Sequence, residues 1–131
     1  IGTIRMRKGK VKKGIWVELN AWISTFVNST ENYMVFGTGG NINKTHKLLG
    51  IPSGKPIPIQ EMTILKEQLK SLSLEERMKQ FQIRPDRADV IVPALEIYTR
   101  ILGNFKSSNI FVPKIGLSDG MIYQMYLEEN R

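Results

Sequence analysis

Apolar positions along the chain alternate between helical spacing and short continuous runs. Ile15, Leu19, Trp22, Ile23, Phe26 and Val27 fall on one helical face, broadened by Trp16 and Val17, and predict a helix ending near Asn28-Ser29 with Trp22 in the core. Before it, Gly2 to Met6 alternates weakly and reads as the end of a strand. Tyr33 to Phe36 is aromatic, β-branched or otherwise apolar, which suits a buried strand. A helix is predicted from Met62, Leu65, Leu69 and Leu72. A longer buried one follows from Ala88, Ile91, Val92, Leu95, Tyr98, Thr99 and Leu102, with Pro93 near its start and Gly103 at its end. Asn109 to Val112 reads as a second buried strand, stopped by Pro113. Met121, Ile122, Met125 and Tyr126 form the inner stripe of a final helix capped by Ser118 or Asp119.

The segments between these elements punctuate them. Gly50 closes a short helix that contains Ile42, Leu48 and Leu49. Residues 51–60 carry Pro52, Pro56 and Pro58 and form a connection that cannot be helical and suits a central strand poorly. Ser73 caps another short helix with Glu75 and Glu76 in its first turn. The order strand, turn, helix, helices, strand, turn, helix is an α/β pattern, and residues 1–131 read as a single domain.

The candidate chemistry lies where the Tyr33 to Phe36 run meets Gly37-Thr38-Gly39-Gly40-Asn41. Glycines there permit a tight turn, and Asn41 or Asn43 can cap the helix that follows. Such a turn is either a sharp strand-to-helix connection or a place where free amide groups at a helix N-terminus meet a phosphate. A second unusual stretch is Arg84-Pro85-Asp86-Arg87-Ala88-Asp89, which puts two arginines at the head of a helix, where the dipole favours acids. They are either tied to Asp86 and Asp89 or held for an anion. His46, between Thr45 and Lys47, reads as exposed, and no second histidine exists to join it in a metal site or relay.

Composition narrows the partners. A net charge of +7 favours polyanions: nucleic acid, polyphosphate or acidic lipid surfaces. Arg5, Arg7, Lys8, Lys10, Lys12 and Lys13 fall together without an acid or an interleaved aromatic, which suits phosphate attraction rather than base recognition. The chain has no cysteine, so disulfides and thiolate metal sites are excluded and a reducing, cytoplasmic location is expected. No apolar run is long enough to span a membrane, and no signal-peptide pattern opens the chain. With Ile1 in place of Met, the chain is expected to be a piece of a longer protein.

Val35-Phe36-Gly37-Thr38-Gly39-Gly40, Asp86-Arg87-Ala88-Asp89-Val90-Ile91-Val92-Pro93-Ala94 and Gly116-Leu117-Ser118-Asp119-Gly120 together resemble the exopolyphosphatase/guanosine pentaphosphate phosphatase family. Ile1-Gly2-Thr3-Ile4-Arg5 is similar to a segment that precedes them there. The resemblance implies a partial RNase H-like domain of the actin, Hsp70 and sugar kinase superfold, with a few-stranded, mostly parallel sheet and several helices. It further implies hydrolysis of phosphoanhydride bonds in polyphosphate or guanosine pentaphosphate by the intact protein, with magnesium as cofactor. On this resemblance, Gly37, Thr38, Gly39, Gly40 and Arg87 are phosphate-binding residues. The family's Asp-Ile-Gly-Gly-Gly-Ser-type loop and its first domain, with the catalytic glutamate, lie outside this chain. No catalytic residue and no metal ligand are therefore expected within it, and the chain alone is expected to be inactive. Ser118-Asp119-Gly120 departs from the Arg-Glu-Gly of many members and removes an arginine. The implied partners are a phosphate polyanion, the remainder of the protein and, through an unpaired edge at Tyr33–Phe36 or an apolar face, a second copy. The alternative from another class is a non-catalytic basic module that binds nucleic acid through Arg5 to Lys13 and the helix pair around Ser73.

Overall fold

The computed structural model describes residues 1–28 and 30–131. Its elements run α1 (Thr3–Arg7), α2 (Ile15–Ile23), β1 (Val35–Phe36), α3 (Gly40–Leu48), β2 (Ile57–Pro58), α4 (Ile59–Ser71), α5 (Leu74–Phe81), α6 (Pro85–Ala88), α7 (Ile91–Leu102), β3 (Asn109–Phe111) and α8 (Leu117–Glu129). The α/β class matches the sequence pattern. The strand order is β1-β3-β2, with β1 parallel and β2 antiparallel to β3, so the sheet is mixed rather than mostly parallel. β2 comes from the proline-rich connection. It sits at the edge, where the missing N–H of Pro58 leaves no gap in a central ladder. β1 occupies the opposite edge and pairs with β3 alone, Val35 opposite Ile110 and Phe36 opposite Phe111.

The core lies where α4 and α7 pack together and against the sheet. Met62, Leu65 and Leu69 enter from α4 and Ile91, Leu95 and Leu102 from α7. Ile42, Ile57 and Ile110 close it from α3 and the strands. A partly buried ion network crosses the same two helices: Lys66 of α4 lies 3.2 Å from Glu96 of α7, and Arg100 donates to the other Glu96 oxygen at 2.5 Å. Pro93 stands in the first turn of α7, where its missing N–H is harmless. Ser73 and Glu76 form a capping box at the start of α5, as the sequence indicated. Arg77 of α5 donates to the carbonyls of Leu69 at 2.6 Å and Ala88 at 3.3 Å, holding the ends of α4 and α6 together.

Several expectations are corrected. Gly2 to Met6 is no strand end: Thr3–Arg7 is a helical turn packed on α7. α2 stops at Ile23, short of Asn28-Ser29, with Ser24 and Thr25 hydroxyls bonding back to carbonyls of the last turn; Ser29 itself lies outside the described residues. Trp22 is 63% exposed, because α2 meets the body of the protein through Ile23 while Trp22 pairs edge-on with Phe26 on the open side. Phe36 is exposed on the free strand. His46 is buried at 1% exposure, since the 3.6-residue repeat places it above Ile42 on the inner face of α3, where its neighbour Thr45 is buried too. Its Nε2 donates to the Lys55 carbonyl at 2.9 Å, fastening the proline-rich connection to α3. The supposed inner stripe of the last helix faces outward: Met121, Ile122, Met125 and Tyr126 are all exposed. Nor does Ser118 or Asp119 occupy the cap position there. Gly116 does, and its N–H donates to the Asp119 carboxylate at 2.7 Å.

Candidate anion-binding site

β1 ends at Phe36, and the chain turns through Gly37, Thr38 and Gly39 into α3. The Gly37 N–H still donates to the Phe111 carbonyl at 2.8 Å, so the turn is anchored to the sheet at its first residue. A methyl at Gly37 would stand 2.8 Å from Ile110 Cδ1 and 3.1 Å from Ile42 Cγ1, both in the core, so this glycine serves close packing. Gly39 serves conformation, with φ +106 in the region that side chains avoid. Thr38, Gly39 and Gly40 are open to solvent while Gly37 is buried. Neither Asn41 nor Asn43 caps α3, and its N-terminus has no side-chain cap at all. Amide donors of the first turn are thus left at the positive end of the helix dipole.

The side chain that meets this N-terminus is cationic. Arg87 of α6 lays its guanidinium on Gly40, where a Cβ would come within 3.0 Å of both Nη1 and Nη2. Nη1 donates to Asn41 Oδ1 at 3.4 Å, and Nε stands 3.9 Å from Asp86. The choice left open for the two arginines divides between them. Arg84 reaches Asp86 at 3.2 Å, whereas Asp89 is taken by Arg7 from α1. Arg87 retains only long contacts and is 42% exposed. A guanidinium beside uncapped amides is a geometry for an anion, since dipole and cation repel one another unless a negative charge lies between them. The five sequence-nominated residues therefore come together, with Gly37 below the surface and the rest around the opening.

Tyr98, read from the sequence only as a core position of α7, supports this turn. Burial pushes its hydroxyl above the ordinary value, against the downward pull of a hydrogen bond with the Ile42 backbone. A recess of about 110 Å³ lined by Thr3, Asn41, Ala94, Ile97 and Tyr98 adjoins Asn41. Asn43, one of the two caps the sequence offered, instead keeps a buried Oδ1 with no hydrogen-bond partner among the described residues. Among the described residues no three of His, Cys, Asp and Glu converge as a metal site. Nor is any helix among them long and apolar enough to cross a membrane.

The family model described as the Ppx/GppA phosphatase family matches residues 6–129. No curated protein matches the chain. Among solved structures, the Aquifex aeolicus Ppx/GppA family member superposes with TM-score 0.74 at 23% identity, covering 91% of this chain and 41% of that one. The type II variant of the Aquifex aeolicus Ppx/GppA phosphatase gives 0.74 at 21% identity, with 93% and 46% covered. An exopolyphosphatase from Cytophaga hutchinsonii gives 0.69 at 19% identity, with 94% and 41% covered. At these identities the likeness is one of fold. The chain spans less than half the length of each of these relatives.

Proposed function

The chain belongs to the Ppx/GppA phosphatase family, and from that premise we propose that it supplies part of the substrate cleft of a phosphoanhydride hydrolase acting on polyphosphate or guanosine pentaphosphate. The observation that carries this reading is the Arg87 guanidinium seated on Gly40 at the uncapped head of α3. In such a hydrolysis water attacks a terminal phosphorus, the bridging P–O bond breaks, and the shortened chain leaves as inorganic phosphate is released. Charge spreads over the equatorial oxygens during transfer, so positioned donors and cations carry most of the catalysis. Gly39, Gly40 and Asn41 amides with Arg87 supply donors of that kind for one phosphate, and Thr38 can add a hydroxyl.

The reading assigns no general base to this chain, because Asp86 and Asp89 are both engaged by arginines. Magnesium enters no step proposed here. We propose that the remaining catalytic groups lie in the part of the relatives' length that the chain does not span, and that the chain alone binds phosphate without turning it over. A cytoplasmic setting accords with the cysteine-free sequence.

Calorimetric titration with inorganic triphosphate tests the proposal, comparing the chain with its Arg87→Gln variant. Loss of a charge-assisted contact of about 1.5–3 kcal/mol weakens binding about tenfold or more. Equal affinity in both proteins would refute it, as would release of phosphate by the chain alone.

A further inference from the structure

The family reading stops at one phosphate position, but the outer face of α3 continues beyond it. Gly40, Lys44 and Lys47 are spaced i, i+4 and i+7 and therefore share one stripe of the helix. That stripe lies opposite Ile42, Thr45 and His46, which face the core. Because Arg87 covers Gly40, the stripe reads guanidinium, ammonium, ammonium, at about 6 and about 10 Å along the axis from its head. Beside the two lysines opens a recess of about 310 Å³, lined by Lys44, Lys47, Leu48, Gln80, Phe81 and Gln82. Its polar lining consists of two ammonium groups and two amides, with no carboxylate. Among the described residues, no acid pairs with Lys44 or Lys47, whereas Lys12 has one acidic partner and Lys66 has two. Gln82 is held there in a left-handed conformation at the end of α5, φ 48 and ψ 47, and belongs to the recess wall.

We propose that Lys44 and Lys47, with the recess they share with Gln80 and Gln82, form a track for the successive phosphates of a linear polyanion whose end is held at Gly39, Gly40 and Arg87. This rests on the phosphate-binding reading of that loop and adds to it a length preference. An ammonium is a point charge on a flexible stem, suited to following a repeating phosphate chain without reading one fixed geometry. A guanidinium at the head gives the fixed, bidentate contact. A guanosine-capped substrate, with its charge gathered at a few phosphates, gains less from such a track than long-chain inorganic polyphosphate does.

Titrations of the whole chain with inorganic phosphate and with long-chain polyphosphate separate the two claims. Lys44→Gln with Lys47→Gln is expected to weaken polyphosphate binding about tenfold while leaving inorganic phosphate within about twofold, taking about 1.4 kcal/mol as a factor of ten. Arg87→Gln should weaken both ligands. Unchanged polyphosphate affinity in the double lysine variant would overturn the track while leaving the loop reading intact. So would an equal loss for both ligands, since the lysines would then act as a general field. An Arg87→Gln variant that binds both ligands normally would overturn the loop reading and, with it, the track. Equal binding of single-stranded DNA and polyphosphate at matched charge, lost together in the double variant, would also overturn the track as a polyphosphate site.

Discussion

Replacing Gly40 with alanine should move stability and binding in opposite directions. Gly40 is the first residue of α3 and does not lie in the left-handed region, so an alanine fits its backbone. Removing a glycine from such a site stabilises by about 0.4–1 kcal/mol, mainly by restricting the unfolded chain. The new methyl would stand 3.0 Å from Arg87 Nη1 and Nη2 and 3.2 Å from Cζ. Ordinary contacts of this kind lie at about 3.5–4.0 Å, so the guanidinium must withdraw by roughly half an ångström or more. It ends a flexible, 42% exposed side chain, so it can swing outward without disturbing the core. The loop then loses its cation in register with the α3 amides. A charge-assisted hydrogen bond is worth about 1.5–3 kcal/mol; displacing it without deleting it should cost about 1 kcal/mol, or about fivefold in triphosphate affinity. Thermal unfolding and calorimetric titration of Gly40→Ala read the two effects separately. An increase in Tm of about 2–6 °C with weakened binding is the expected pair. Unchanged affinity, or a loss of stability, would refute the placement of Arg87 over this glycine.

Gly37→Ala should behave differently, because its methyl meets Ile110 and Ile42 within the core; a loss of about 1–3 kcal/mol in urea denaturation is expected. Acid should loosen the α4–α7 contact. Burial alone would raise the Glu96 carboxyl, but the hydrogen bonds and charges of Arg100 and Lys66 together hold it below the ordinary 4.5. Its stabilising contribution is present above that value and is lost as pH falls through the lower folded-state value. Urea midpoints should therefore drop from about pH 5 downward, and a Glu96→Gln variant should be weaker near neutrality with a shallower acid slope. Removal of residues 117–131 takes away no buried side chain. We expect a Tm within about 2 °C of the parent and less self-association in sedimentation, α8 and the free edge of β1 being the surfaces we propose for a second copy. Undiminished association would assign it to β1 alone.

The contrast between Gly37 and Gly40 also marks what could be read from the sequence. The glycine cluster after an apolar run, and the paired arginines around Pro85, were visible as unusual residues for their elements. Their meeting was not, because a separation of 46 residues between Asn41 and Arg87 is closed by tertiary packing. Strong periodic patterns located α4 and α7, whose apolar stripes face one another. The same periodicity misplaced Trp22 and the last helix, since it reports that a face is apolar and not that the chain provides a surface to cover it. α8 illustrates this well: Leu117, Tyr123 and Leu127 join the expected stripe residues in exposure, so the helix is apolar around its circumference. His46 failed for the opposite reason. Its immediate neighbours are polar, yet one of them, Thr45, is buried with it, and Ile42 one turn earlier lies on the same inner face. Arg7 drew attention as one of a basic run, yet it pairs with Asp89 and so leaves Arg87 less encumbered.

The measurement that bears most directly on the central claim is an amide and guanidinium NMR titration of the chain with inorganic polyphosphate. The account predicts that the largest shifts fall on the N–H groups of Gly39, Gly40 and Asn41 and on Arg87 Nε–H, the groups gathered at the head of α3. Shifts confined to Arg5 through Lys13, with the loop and Arg87 unmoved, would contradict it and leave a basic surface in place of a phosphate cleft.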